Sequence, residues 1–347
     1  NKLSFAYNRT DGYFKNDFTG GKSNKSDSYD IRYQGSVFTD ATWKVAFGLN
    51  YNHSFDDGYA YHAIDSLKVH RHRVNYNADA SYKRDLLSTY VNVQKHFSQT
   101  RLNWITSYSR AKDKQVLDAD FTYHDVFQNG KESKQDLITQ EINYQSSRGD
   151  KIDWTVGTFG FYKDLTNDYL ATFGTERHLL LPLDLDQALY YNNTSTWGIA
   201  GYGQITVKNL LPGMFVTAGI RYDYEKASLS YRDSLLFHDA DRFTGYHDWD
   251  EKHSYAAWLP KFSVLQKWNE QLSTYLNISK GYKAGGYNII SNEMTTQVVE
   301  LEYDKESLWN YELGAKYFSV NGRFNVNGAL FYIDWKDQQI FVMEMMG

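Results

Sequence analysis

The 347 residues contain no cysteine and no long hydrophobic run. Without cysteine there is no disulfide framework and no thiolate-held zinc or iron–sulfur site. The apolar runs are as short as Leu179-Leu180-Leu181 before Pro182, far below the roughly 18 residues a membrane helix needs. Any membrane crossing must therefore be made by strands. A 3.6-residue apolar stripe is also lacking, which removes the amphipathic helices that a soluble protein of this length would normally carry. The net charge is −5, so the basic footprint of a nucleic-acid binder is absent. No initiator Met, signal peptide or transit peptide opens the chain, which begins inside a strand-like segment, Lys2–Tyr7. The expectation is an internal piece of a longer protein.

Aromatic residues are abundant. There are 30 Tyr, and Phe, Trp and Tyr make up 17% of the chain, yet the mean hydropathy is −0.63. A transmembrane barrel reconciles the two, because its outer wall is aromatic and its lumen and loops are polar. The alternation supports this. Val216, Ala218, Ile220, Tyr222 and Tyr224 fall on one face of an extended segment, and Thr217, Gly219, Arg221, Asp223 and Glu225 on the other. Arg in lipid would cost about 2–4 kcal/mol near the midplane, and Asp and Glu less, so the charged face is expected to look into a lumen. Tyr29–Val37 and Trp43–Tyr51 alternate in the same way, whereas Tyr90–Phe97 and Ile199–Val207 give ambiguous faces. A soluble sandwich would reverse the faces, and alternation alone fits both. Segment length and loop asymmetry favour the barrel.

That asymmetry is legible along the chain. Short turns are expected near Thr39–Thr42, Ser98–Thr100, Arg148–Lys151, Asn209–Gly213, Asn269–Gln271 and Asn321-Gly322, the last a strong hairpin signal. They recur roughly every 50 to 60 residues. Long connections are expected over Gly58–Tyr82, Asp120–Lys134, Ala171–Ser195, Asp233–His253 and Ile289–Asp304. The reading is all-β: an incomplete antiparallel transmembrane β-barrel of about 13 strands. An odd number with parallel ends does not close as a simple meander.

Three late segments carry a resemblance. They are Lys280-Gly281-Tyr282-Lys283-Ala284-Gly285-Gly286-Tyr287-Asn288, Trp309-Asn310-Tyr311-Glu312-Leu313-Gly314 and Phe331-Tyr332-Ile333-Asp334-Trp335-Lys336-Asp337-Gln338-Gln339-Ile340. Together they resemble late barrel strands of TonB-dependent outer-membrane receptors. The matched positions are Lys280, Gly281, Tyr282, Gly285, Gly286, Asn288, Tyr311, Glu312, Asp334 and Gln338. The resemblance implies a barrel of about 22 strands with an N-terminal plug, lying in the bacterial outer membrane. It implies import of a scarce ligand, foremost an iron chelate such as a ferric siderophore, driven by the TonB–ExbB–ExbD complex through the plug. Uptake of vitamin B12, haem or glycans, or a passive porin, are the alternatives. It implies no enzyme, no cofactor and no resident metal. On this resemblance residues 1–347 are part of one barrel domain, with the plug and the C-terminal strands outside the chain.

The ligand is expected at the long connections. Tyr61, His62, His124, Tyr190, Tyr191 and His247 are the candidate contacts, each an aromatic or imidazole ring placed near a loop centre. Exposed loops also tolerate His with no ligand, and aromatic rings also form interfacial girdles. His70-Arg71-His72 has no evident third metal ligand. Asp239, Asp241, Asp248, Asp250 and Glu251 do not fit an EF-hand and read as a solvated acidic loop. No local motif ties a nucleophile to a base. Gly281–Gly286 lacks phosphate-loop spacing and is expected to kink or pack closely in the wall.

Overall fold

The computed structural model describes all residues except 39, 41, 60, 62–71, 148, 180–183, 239–242, 288–301 and 341–347, and at 245–247 it describes the backbone alone. The chain is almost wholly extended. The first elements are β1 (Lys2–Thr10), the short β2 (Phe14–Asn16) and β3 (Lys22–Ser23), β4 (Lys25–Phe38) and β5 (Trp43–Asp57). Then come the short β6 (Arg73–Val74), β7 (Ser81–His96), β8 (Thr100–Asp118), β9 (Phe127–Ser146) and β10 (Ile152–Phe173). The long β11 (Leu185–Lys208), β12 (Met214–Phe237) and β13 (Thr244–Lys267) follow. The last are β14 (Leu272–Lys283), the short β15 (Gly286–Tyr287) and β16 (Glu302–Tyr303), β17 (Glu306–Phe318) and β18 (Asn325–Lys336). The long strands make one 13-stranded antiparallel sheet in chain order, with β1 and β18 at its two ends. One 3-10 turn, Arg177–Leu179, is the helical element among the described residues.

The short turns lie where the sequence puts them, and their chemistry explains them. Asp40 Oδ1 accepts from the amides of Thr42 at 2.6 Å and Trp43 at 2.9 Å. Hydrogen bonds from Thr42 hold its carboxyl below the usual carboxylate range. Asn269 Oδ1 likewise accepts from the amides of Gln271 and Leu272. Asn209 and Gly213 bracket the β11–β12 turn with φ of 54° and 76°. Such side chains imitate a backbone turn or tolerate the left-handed region. The Asn321-Gly322 turn departs from the two-residue hairpin. β17 stops at Phe318 and β18 starts at Asn325, because Ser319 accepts from the Phe324 amide and closes a wider loop.

The two faces of β12 are as the alternation predicts. Ala218, Ile220 and Tyr222 are exposed, while Arg221 and Asp223 pair with each other on the opposite face. Register carries the faces across the sheet. Ile220 lies opposite Pro260, Tyr222 opposite Trp258, and Gly201 opposite Tyr222. The apolar face ends at a line of aromatic rings: Tyr108, Tyr162, Trp197, Tyr224 and Trp258. Register also settles the ambiguous segments. Val91, Val93, Ile199, Ile205 and Val207 share the apolar face. Tyr90 and Tyr202 lie on the polar one, over Gly48 and Gly157 respectively. An aromatic ring covering a cross-strand glycine breaks the hydropathy pattern without breaking the pleat.

The strands run further than expected. The connection placed at Ala171–Ser195 contracts to 174–184, Asp233–His253 to 238–243, and Asp120–Lys134 to 119–126. Backbone pairing does not depend on side-chain polarity, so the ladder continues where both faces become polar and the sequence reads as loop. Buried side chains collect at these outer strand ends, on the polar face. One group holds Phe173, Leu185 and Ala188, and another Ala227, Leu229, Tyr231 and Tyr287.

Candidate functional site

Two cross-strand rows meet at the outer end of the polar face. In one, Asn167, Asn192, Tyr231 and Trp249 lie directly opposite one another on β10, β11, β12 and β13. In the other, Lys131, Tyr169, Tyr190 and Asp233 lie opposite one another on β9, β10, β11 and β12. The Tyr231 and Trp249 rings stack at 4.9 Å between centroids, and Tyr231 donates to Asp233 at 3.0 Å. Lys131 Nζ sits 5.1 Å from the Tyr169 ring centroid. The Asn192 side chain is 1% exposed, and neither its amide nitrogen nor its oxygen has a partner among the described residues. The buried Tyr255 hydroxyl is likewise unpartnered. Buried polar groups are normally satisfied, so the unpartnered Asn192 amide next to the aromatic stack makes this end of the polar face the candidate site, while Tyr255 lies six residues further along β13, opposite Glu225.

One side of the site is closed by chain that leaves the wall. After Ser279, β14 no longer pairs with β13, and Gly285–Tyr287 folds against the polar face. A Cβ on Gly285 would overlap the Tyr303 carbonyl and come within 2.6 Å of the Tyr255 ring, so only glycine allows this approach. Tyr287 packs on Ala227, Leu229 and Tyr231, and burial raises its phenol. The returning stem is tied by the His253–Glu302 ion pair and by Lys305 donating to the Ala256 carbonyl at 2.5 Å. Gln339 Nε2 bonds both the Ala284 and Asp304 carbonyls, at 2.9 and 3.0 Å. Below the stem, the Arg221 guanidinium lies 5.8 Å from the Phe159 and Tyr202 ring centroids, with Tyr282 nearby.

The family model of the TonB dependent receptor-like β-barrel matches residues 1–345. The chain belongs to the TonB-dependent receptor family. Its 13-stranded antiparallel sheet has the strand architecture of that family's barrel. The pesticin receptor of Yersinia enterocolitica is 24% identical over 186 residues, 53% of this chain and 24% of that protein. The ferric yersiniabactin uptake receptor FyuA of Yersinia pestis has a similar structure, with a TM-score of 0.78 at 16% identity. That match covers 97% of this chain and 50% of FyuA. The closed form of the ferric-catecholate import receptor Fiu of K12 E. coli gives 0.67 at 13% identity, over 96% and 54%. The chain thus spans about a quarter to a half of the length of these relatives.

Of the described ligand contacts expected from sequence, one lies at the polar-face site. Tyr190 is there, but in β11 and not in a loop. Tyr191 is also in β11, which corrects its placement at a loop centre, and it lies opposite Arg232 on the face away from Tyr190. His124 is held by Glu176 at 3.0 Å in a clamp between loops 119–126 and 174–184. Glu176 also accepts from the Asp125 amide, and that bond first, then His124, keeps its carboxyl below the usual range. Tyr61 stacks with Tyr59 at 6.2 Å and meets Phe121 edge-on. It lines an open cleft of about 350 Å³ with Asn24, Asp56, Gly58, Tyr59 and Tyr82. His62 and the His247 side chain lie outside the described residues, as does Asn288. The acidic loop is corrected in part: Asp248, Asp250 and Glu251 are in β13, and Asp248 pairs with Arg232 at 3.2 Å.

The motif positions are spread along the wall. Lys280 lies over the Trp309 ring at 6.0 Å, and Gly281 packs by Leu308. Glu312 accepts from the Tyr275 hydroxyl at 2.5 Å, Tyr311 packs near Tyr332, and Asp334 lies opposite Trp309. Gly286 pairs with Tyr303 beside the Tyr303 ring. Gln339, next to the matched Gln338, ties the loop stems. Sequence reasoning missed Asn192, Tyr231 and Tyr255. Their one signal was aromatic and amide residues continuing the polar-face alternation beyond the girdle.

Proposed function

We propose that this chain is part of a single barrel domain of a Gram-negative outer-membrane receptor that imports an iron chelate, most specifically a ferric siderophore. In this reading the plug and the last strands lie outside residues 1–347, and the plug carries the contact with the TonB–ExbB–ExbD complex. The observation that carries the reading is the aromatic stack of Tyr231 and Trp249 beside the unpartnered Asn192. A chelated ferric ion brings its own ligands, so the protein needs flat apolar surface and a few hydrogen-bonding groups in place of metal-binding side chains. Lys131 adds a cation for the anionic groups of a chelate. FyuA and Fiu are named for ferric yersiniabactin and ferric catecholates, which supports cargo of that class.

The test is binding of a panel to the full-length receptor: ferric siderophores, haem, vitamin B12 and oligosaccharides. The expected result is submicromolar binding of one ferric siderophore, weakened at least tenfold by Trp249→Ala and by Asn192→Leu. Binding of another panel member, or siderophore binding indifferent to both changes, refutes the reading.

A further inference from the structure

We propose that the cleft framed by Asp56, Tyr59, Tyr61 and Tyr82 binds a small organic ammonium ion, at a site separate from the Tyr231–Trp249 stack. The register puts the cleft on the polar face. Asp56 lies directly opposite Tyr82, Tyr82 opposite Gln115, and Gln115 opposite Lys131. It therefore continues the row that runs through Tyr169 and Tyr190 to Asp233. From Asp56 to Tyr190 that row crosses about 24 Å of sheet, at about 4.8 Å per strand, so one small ligand does not reach both ends.

The cleft holds a carboxylate without a counterion. Asp56 makes no ion pair and no side-chain hydrogen bond among the described residues. The cations around it are taken or face elsewhere. Arg84 is held by Asp113 at 2.6 and 3.1 Å, and Lys25 lies 3.7 Å from Asp57. Lys83 lies opposite Phe55 and so alternates to the other face. Partial burial and the neighbouring Asp27 disfavour the charge of Asp56, and a bound cation relieves both. Tyrosine rings supply the remaining surface. Tyr59 and Tyr61 are stacked within 14° of parallel, and Tyr61 is 62% exposed. Tyr82 is fixed by its hydroxyl, which donates to Asp113 at 2.9 Å. Ring faces attract an ammonium ion together with the alkyl groups around it. A metal ion fits less well, since no three acidic or imidazole side chains converge on one point among the described residues.

The cleft is also preformed. Gly58 and Asn24 take φ of 76° and 66° at its edge. The Gly58 amide donates to the Ala80 carbonyl at 2.6 Å and the Asn24 amide to the Asp57 carbonyl at 2.7 Å. A Cβ on Gly58 would overlap the Tyr76 hydroxyl and Ser23 Oγ, which hydrogen-bond each other. The volume, about 350 Å³, is that of a small-molecule site.

The full-length receptor in non-ionic detergent micelles is titrated at constant ionic strength with choline and with its uncharged isostere 3,3-dimethylbutan-1-ol. Binding is read by saturation-transfer NMR. Choline is expected to bind saturably, and at least about tenfold more tightly than the alcohol. Asp56→Asn, which keeps the shape of the side chain, should weaken choline at least about tenfold. Tyr61→Ala should weaken it at least about threefold. Tyr61 is exposed and outside the strands, so this second variant tests the cleft even if Asp56→Asn disturbs the end of β5. Absence of saturable choline binding, equal binding of the alcohol, or choline binding indifferent to both changes overturns the proposal. Displacement of choline by millimolar calcium chloride also overturns it, because the carboxylate would then serve a metal ion.

Discussion

Replacing Tyr287 by Ala tests whether the stem that enters the lumen is held there by its side chain. Tyr287 is 9% exposed and packs against Ala227, Leu229 and Tyr231. A buried aromatic side chain removes about 150–250 Å² from water, worth roughly 4–6 kcal/mol at about 25 cal/mol per Å². The site is open on one side and can relax, so the net cost of truncation should be about 2–4 kcal/mol. The β15–β16 pairing is two residues long on each side and has little stability of its own. Its amides should therefore lose about 30- to 1000-fold of their hydrogen-exchange protection. The hydroxyl reaches the Ala227 carbonyl at 3.4 Å, a long hydrogen bond, so Tyr287→Phe should change protection less than about threefold. The β12–β13 ladder should be unaffected in both variants. Unchanged protection at Gly286, Tyr287, Glu302 and Tyr303 in Tyr287→Ala would refute the anchoring argument. Equal loss across β12 and β13 would show instead that Tyr287 supports the wall.

The remaining expectations are simpler. The folded Glu176 carboxyl lies below its unfolded value, so the clamp's contribution is present above the ordinary carboxylate range, near about 4.3, and is lost as pH falls through the folded value. Exchange at the Asp125 amide should thus be slow at pH 5 and rise below about pH 4, and Glu176→Gln should remove that dependence. Deleting 176–183 should leave the barrel folded, because those residues lie outside the long strands. Deleting Thr175–Tyr191 should lower its urea midpoint, because that segment includes the buried Leu185 and Ala188 of β11. Gly213→Ala should cost about 1–3 kcal/mol in urea unfolding, since φ is 76° there and a Cβ would overlap the Lys267 carbonyl. Gly201→Ala, with open space around it, should cost little by the same measure.

The sequence by itself determined the all-strand fold, the six short turns and the two faces of each clean strand. These are local properties: alternation has a period of two, and Asp40, Asn269 and Gly213 act within a few residues of themselves. Strand ends were not legible. Leu185–Tyr191 and Thr244–His253 mix polar and apolar side chains on both faces beyond the aromatic line, so their hydropathy matches that of loops. The tertiary structure alone decided the site. Asn167, Asn192, Tyr231 and Trp249 are brought into one row by the register of four strands, and a one-residue slip would have sent Tyr191 inward in place of Tyr190. The docking of Tyr287 onto Ala227, 60 residues away, depends on where β14 leaves β13, a contact between distant segments that no local pattern encodes.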